Sequence, residues 1–346
     1  MEKFRKFLSE KHYLIIGVSA GVVIVAAVLA AVLISGRNTV PVSASDISSA
    51  AVSSDAVSSD VSSDVSSDVT SSKDASSEVI SSAPVQSKAP VVSKTVSTLS
   101  PDHPYYNIIK EAEKYPNDGR GYGFGEYIDE TTVRPTLAIN QQNAYGHLGM
   151  VTIDLNVPEG EKVVYLTMDE GYEAGYTPKI LDILKEKGVT ATFFVTQSYC
   201  YERPGLVKRM IDEGHVVGNH SVHHYSMPTI SPEAGIPEIM GLHNYMLNTY
   251  GYEMHLFRPP TGAYSQRTLR LAQLLGYKTV EWSFAYGDYD EDNQPDKTYA
   301  YKLITNSTCN GCIYLLHAIS KTNTEILGDL IDYWQDEGYT VKAYAG

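Results

Sequence analysis

Val163-Val164-Tyr165-Leu166-Thr167-Met168-Asp169-Glu170-Gly171-Tyr172-Glu173 is the stretch from which the fold can be read. Its first five residues are apolar or β-branched and read as a buried strand, 163–167. Two carboxylates follow where the strand is expected to give way to a loop. Helical spacing then begins, over 177–187. The same alternation runs on toward the C-terminus. Further strands are expected at 191–195, 216–219, 256–258, 279–281 and 313–316, with a weaker one at 340–342. Further helices are expected at 204–213, 232–248, 265–275, 298–305 and 323–336. Repeated strand–helix units mean parallel strands covered by helices. The class is therefore α/β, and the unit count predicts a short (β/α) barrel over 161–346.

Upstream, the chain changes character twice. Its 346 residues carry a formal charge of −14, which argues against a nucleic-acid partner. Residues 1–40 hold five basic and two acidic residues, and 13–35 carry no charge at all. That run is long enough to cross a bilayer core of about 30 Å. The basic residues sit mainly before it, which keeps 1–12 in the cytoplasm and the remainder outside. The expectation is a single-pass transmembrane anchor at 13–35, with the working domain extracellular. The alternative is a cleaved signal ending near Val42-Ser43-Ala44; either way the rest is exported. Residues 41–100 contain 22 serines and no aromatic residue, with Val-Ser-Ser-Asp repeated four times. Such a segment cannot bury enough apolar surface to offset its chain entropy, so 36–100 reads as a disordered linker. Residues 101–160 read as an extension packing beside the barrel.

In parallel α/β folds, chemistry sits where strands end and loops begin. The polar residues of this chain obey that rule. Asp169 and Glu170 follow the first strand. His220, His223 and His224 follow the third, Arg258 ends the fourth, Asp288 comes after the fifth, and His317 ends the sixth. Each has a plainer reading alone: a helix cap, a solvated turn, a structural ion pair, a core histidine. Five such sites at strand ends of one barrel argue for a joint role. Two imidazoles at i and i+4 can hold one side of a zinc-like ion, and a carboxylate can complete three protein ligands. Such an ion acidifies water and polarises a carbonyl. A second carboxylate can take the water's proton, and a separate histidine can protonate a leaving nitrogen. The set describes metal-assisted hydrolysis of an amide or ester.

These residues resemble the polysaccharide deacetylases of the NodB-homology type, carbohydrate esterase family four. The family's ordered motifs are Thr-Phe-Asp-Asp-Gly, His-Ser/Thr-x-x-His, Arg-x-Pro-x-Gly, an Asp-Trp region and Leu-x-His. Here they correspond to Thr167–Gly171, His220–His224, Arg258–Gly262, the region of Asp288, and Leu315–His317. The resemblance covers about 160–345 and implies a distorted (β/α) barrel. Residues 169–178 are most similar to the branch that de-N-acetylates muramic acid in peptidoglycan. The resemblance implies Asp169 as general base, His317 as general acid, Arg258 as the partner that tunes Asp169, and Asp288 as the charge partner of His317. It implies His220, His224 and Glu170 as ligands of a divalent ion, zinc first and cobalt or manganese next. Glu170 departs from the usual Asp and reaches one methylene further. Two outcomes are open: it ligates, or it turns away and leaves a two-histidine site. Tyr289 stands where Trp usually follows the Asp, and Ala285 replaces an acidic residue.

The resemblance implies peptidoglycan glycan strands as the partner of a monomer. Rival readings change the substrate to N-acetylglucosamine, chitin oligomers or acetyl-xylan, or make the module a wall-binding domain with a degraded metal site. His223 reads as a loop residue. Tyr172, Tyr201 and Tyr264 are candidates to stack on sugar rings. Cys309 and Cys312 precede the sixth strand and read as a local disulfide or free thiols. Cys200 follows the second strand, at the opposite barrel end, and should not reach them.

Overall fold

The structure is a computed structural model and describes residues 99–123 and 135–346. The segment read as anchor, 13–35, and residues 36–98 of the segment read as linker, 36–100, lie outside the described residues. Among the described residues no helix is long and apolar enough to cross a membrane.

The central strand is β3 (Val163–Glu170), all eight residues buried. It runs three residues beyond the sequence expectation because neighbours on both sides pair with it through Asp169, and one of them through Glu170. On one side lies β9 (Cys312–His317), with Asp169 in register with His317. On the other lies β4 (Thr192–Val195), with Asp169 in register with Phe194 and Glu170 with Val195. The start of that second edge is taken by β10 (Thr340–Lys342). From β4 the sheet continues through β5 (Val216–Asn219), β6 (Leu256–Phe257) and β8 (Lys278–Val280) to β2 (Met150–Val151), all parallel. Past β8 the chain bends onto β9. Ser283 N–H donates to Ile313 O at 2.8 Å, and Leu315 N–H to Phe284 O at 2.9 Å. These bonds curl the sheet toward β9, so the α/β parallel-strand expectation holds, with the barrel realised as a curled half-barrel. The boundary expected at 160 does not follow the sheet, since β2 belongs to the barrel.

The helices that cover the sheet begin where their sequences supply caps. Ser231 caps α6 (Pro232–Tyr250), Ser265 caps α7 (Gln266–Leu274) through a capping box, and Ser320 caps α9 (Lys321–Asp336). Asp296 does the same for α8 (Lys297–Asn306), whereas α2 (Thr136–Tyr145) and α5 (Pro204–Asp212) start without a side-chain cap. Each cap satisfies a backbone N–H that the first helical turn leaves open. The amphipathic helix α3 (Thr177–Lys187) turns Ile180, Leu181 and Leu184 into the core. A short helix, α4 (Gln197–Glu202), is not anticipated by the sequence pattern; Thr196 caps it.

The N-terminal segment is tied to the barrel. Helix α1 (Tyr106–Ala112) buries Ile109 and Ala112 against Ile236 of α6 and Leu271 of α7. Strand β1 (Arg120–Gly121) pairs antiparallel with β7 (Ala263–Tyr264). The three cysteines are buried and unbridged, with Cys200 on α4 packed against Met246.

Candidate active site

Asp169 and Glu170 are consecutive residues of β3, and consecutive strand side chains point to opposite faces. Asp169 faces into a cavity of about 490 Å³ at the C-terminal mouth of the barrel, shared with His220, His224 and His317. A cavity of that size is within the usual range for small-molecule sites. Glu170 faces the other way. Its carboxyl lies buried beside Thr177, whose hydroxyl donates to it at 3.3 Å. Burial, then the neighbouring Glu173, holds it well above the usual carboxylate range. The third ligand expected at Glu170 is therefore not brought to the histidine pair. The cause is the strand itself, which continues through Glu170 and forces the alternation.

Arg258 fixes Asp169. Its guanidinium is fully buried and lies 4.1 Å above the Phe194 ring. Nη1 donates to Asp169 Oδ1 at 2.7 Å, Nη2 to Thr167 Oγ1 at 2.8 Å, and Nε to Val280 O at 3.0 Å. Burial alone would raise the carboxyl's pKa, but Arg258, followed by His220 and His317, holds it below its ordinary value. One oxygen is thus occupied and the other, Oδ2, faces His220 Nε2 at 3.6 Å. The Arg-Pro-Pro-x-Gly turn also explains its glycine. Gly262 has φ of +62°, and a Cβ there would lie 2.9 Å from the Trp282 ring.

His220 is oriented from behind. Its Nδ1 lies 2.8 Å from Arg258 O. A carbonyl only accepts, so Nδ1 carries the proton and Nε2 presents a lone pair. Burial lowers its pKa to about 4, against the opposing pull of Asp169. The His224 ring stands 4.9 Å from that of His220, and burial lowers its pKa too. Both imidazoles are neutral near pH 7. Two neutral imidazoles, one with its outer N–H anchored, suit a divalent ion. Among the described residues no group of three His, Cys, Asp or Glu side chains is placed to hold one. Among the described residues, the histidine pair His220 and His224 is what would hold such an ion.

Across the cavity stands His317. Its Nδ1 lies 2.7 Å from Asp288 Oδ1, and its backbone N–H donates to Asp288 Oδ2 at 2.8 Å. Asp288 is fully buried and also accepts from Asn323 Nδ2 at 2.5 Å. Tyr286 in turn donates to Asn323 Oδ1. Burial opposes protonation of His317, but Asp288 outweighs it and raises the pKa above the ordinary histidine value. Of the three cavity histidines, His317 is the one whose surroundings favour the protonated form.

Several site residues carry no sequence signal of their own. Asn323 sits in the first turn of α9, remote from the motifs. Thr167 opens the first motif, but nothing in that motif shows that its hydroxyl accepts from Arg258 Nη2. Trp282, Ala285 and Leu315 form an apolar wall of the cavity, and Gly123 of the N-terminal segment reaches its lining. Gly123 O accepts from Trp282 Nε1 at 2.7 Å. Of the tyrosines that are candidates for stacking, Tyr172 and Tyr201 are about half exposed, at 48% and 58%. Tyr264 is buried, its hydroxyl donating to Gln141, and cannot stack on a ligand. His223 turns out of the cavity toward Glu238.

A parallel α/β sheet with an arginine-held carboxylate and an aspartate-backed histidine on facing walls of one cleft is an arrangement suited to acid–base hydrolysis. Comparison with known proteins gives the family. The model of the polysaccharide deacetylase family matches residues 156–280. The peptidoglycan-N-acetylmuramic acid deacetylase PdaA of Bacillus subtilis is 38% identical over 238 residues, 67% of this chain and 87% of that protein. The solved structure of that PdaA, a family 4 carbohydrate esterase, superposes with a TM-score of 0.61 at 37% identity, covering 66% of this chain and 96% of the other. A family 4 carbohydrate esterase from Bacillus anthracis superposes with a TM-score of 0.54 at 35% identity, covering 66% and 95%. This chain belongs to the polysaccharide deacetylases, carbohydrate esterase family 4, and is an enzyme of that family.

Proposed function

We propose that the enzyme removes acetyl groups from amino sugars of peptidoglycan, with N-acetylmuramic acid as its preferred sugar, outside the membrane that holds its N-terminus. The observation that carries the reaction is the pair of oppositely tuned groups across one cavity. Arg258 favours the ionised form of Asp169, and Asp288 favours the protonated form of His317. Residue pairs whose environments push their pKa values apart are the mark of acid–base catalysis. The similarity of 169–178 to the muramic branch, together with the likeness to the Bacillus subtilis muramic deacetylase, supports the choice of sugar.

Asp169 Oδ2 is free of Arg258 and takes the proton of the attacking water. Oδ1 stays on the guanidinium, which fixes the carboxylate's orientation through the step. With Nδ1–H committed to Asp288, the second proton of the charged His317 ring sits on Nε2. The ring delivers that proton to the departing sugar nitrogen. Asp288 stabilises the ring while it is charged and holds its tautomer afterwards. The wall of Trp282, Ala285 and Leu315 excludes water from one side and suits a methyl group, the acyl half of an acetamide. His220 and His224 would hold a divalent ion, zinc first. Such an ion supplies Lewis acidity toward water and the acetyl carbonyl when bound. The charge-free run at 13–35 supports a membrane-anchored location.

Purified full-length enzyme is incubated with peptidoglycan in the presence of zinc, cobalt or manganese, and acetate is measured. Mass spectrometry of the digested muropeptides then distinguishes muramic from glucosamine products. Acetate release that is lost in Asp169→Asn and on chelation, with muramic products, is the expected result. No acetate with any of the three ions sinks the proposal.

A further inference from the structure

We infer that Glu238 on α6 is a positioning residue, clamping the loop that presents His220 and His224 toward the ion site. The inference rests on the reading of those two histidines as ligands. It begins from backbone strain. Ser221 has φ of 72° and His224 has φ of 58°. Side-chain-bearing residues adopt that left-handed region at an energetic cost, and keep it only where the surroundings over-determine them. Four residues thus contain two strained positions, one of them a ligand.

The surroundings are supplied largely by one stretch of α6. Glu238 O accepts from Val222 N–H at 3.0 Å. Glu238 Oε2 accepts from His223 N–H at 2.8 Å, and Oε1 lies 2.6 Å from His223 Nδ1. Both carboxylate oxygens are thereby given to the loop. The next residue holds the loop's base, since Asn219 Nδ2 donates to Ile239 O at 2.8 Å. Gly241 lacks the Cβ that would come within 3.0 Å of a Val222 methyl. Inside the loop, Asn219 Oδ1 accepts from Ser221 N–H and Ser221 Oγ from His224 N–H, each at 2.9 Å. Glu238 itself is 4% exposed. A carboxylate is an expensive group to bury, and an apolar residue would pack there at less cost. What an apolar residue could not do is hold His223 at two points and so carry His224 into place. The third histidine of the loop thereby acquires a role, as the handle by which α6 grips the loop.

The test compares Glu238→Gln with Leu242→Ala in the full-length protein. Leu242 is a fully buried core residue of the same helix. Zinc affinity is measured by competition with a chromogenic chelator, and amide hydrogen exchange is followed in 219–224. Glu238→Gln is expected to weaken zinc binding by about 10-fold, the low end for lost outer support because Glu238 grips His223 and not a ligand itself, and to speed exchange at His223, whose N–H donates to the Glu238 carboxylate. His223→Ala, at an exposed side chain that folding does not need, is expected to weaken zinc binding in the same direction. Leu242→Ala is expected to lower the melting temperature while leaving both loop readouts unchanged. The clamp is overturned if Glu238→Gln and His223→Ala keep wild-type affinity and exchange, or if Leu242→Ala weakens zinc equally. If the wild type takes up no zinc, the ion reading fails by itself. Amide exchange then decides the clamp: faster exchange in Glu238→Gln supports it, and unchanged exchange overturns it.

Discussion

Arg258 is a guanidinium with no exposure to solvent, and its neighbours are arranged to meet that. Thr167, Asp169 and two backbone carbonyls take its donors while Phe194 covers its face. Removing one partner of such a buried pair typically costs about 3–5 kcal/mol, because the other charge is left uncompensated. Arg258→Ala is therefore expected to lower stability by about that much in denaturant melts. Asp169→Asn keeps the shape but removes the base, and kcat should fall roughly 100- to 10,000-fold with the fold retained. The acid has its own signature. Asp288 raises the pKa of His317, so kcat/KM should fall as pH rises through that raised value. In Asp288→Asn the charge is gone, the pKa drops, and the alkaline limb should move to lower pH. The same shift links to stability: it adds stability below the unfolded histidine pKa, and that increment is lost as pH rises through the folded value. An alkaline limb that stays in place in Asp288→Asn would assign it to another group.

At the scale of elements, β4 and β5 hold Arg258 from beneath. Phe194 of β4 lies under the guanidinium, and its ring occupies the space that a side chain at Gly218 of β5 would need. A Cβ at Gly218 would come within 2.5 Å of Phe194 Cδ1. Gly218→Ala must push the ring toward Arg258. The expected destabilisation is about 1–3 kcal/mol, the usual range for overpacking, with a drop in kcat through the displaced Arg258–Asp169 pair. Thermal melts and acetate-release kinetics on the one variant check both. Most elements are legible in the sequence: the alternation of apolar runs and amphipathic stretches locates the strands and the long helices within a few residues. The end of β3 is not. Asp169 and Glu170 look like loop residues because carboxylates are poor strand formers. They are strand residues because β4 pairs with both and β9 pairs with Asp169 from the other side.

Across the whole molecule, the N-terminal segment is part of the machine and not a spacer. It covers α6 and α7 with Ile109 and Ala112, adds β1 to β7, and places Gly123 against Trp282 at the cavity wall. Ile109→Ala is expected to cost about 2–5 kcal/mol in unfolding experiments, as for other buried isoleucines. Little of this attachment can be read from 101–160, because short strands and caps without periodicity carry almost no local signal. By itself, the sequence determined the α/β class, the main alternation of strands and helices, and that Asp169, His220, His224, Arg258, Asp288 and His317 lie at or just beyond strand ends, where the structure gathers them around one cavity. Local periodicity and motif spacing suffice for that, since each residue's place at a strand end is a local property. The tertiary structure alone decided that Glu170 leaves the ion site, that His223 belongs to Glu238, that Asn323 backs Asp288, and that Ser283 and Phe284 curl the sheet onto β9. Those outcomes depend on strand alternation imposed by distant partners, and on contacts between residues far apart in the chain, which no local pattern encodes.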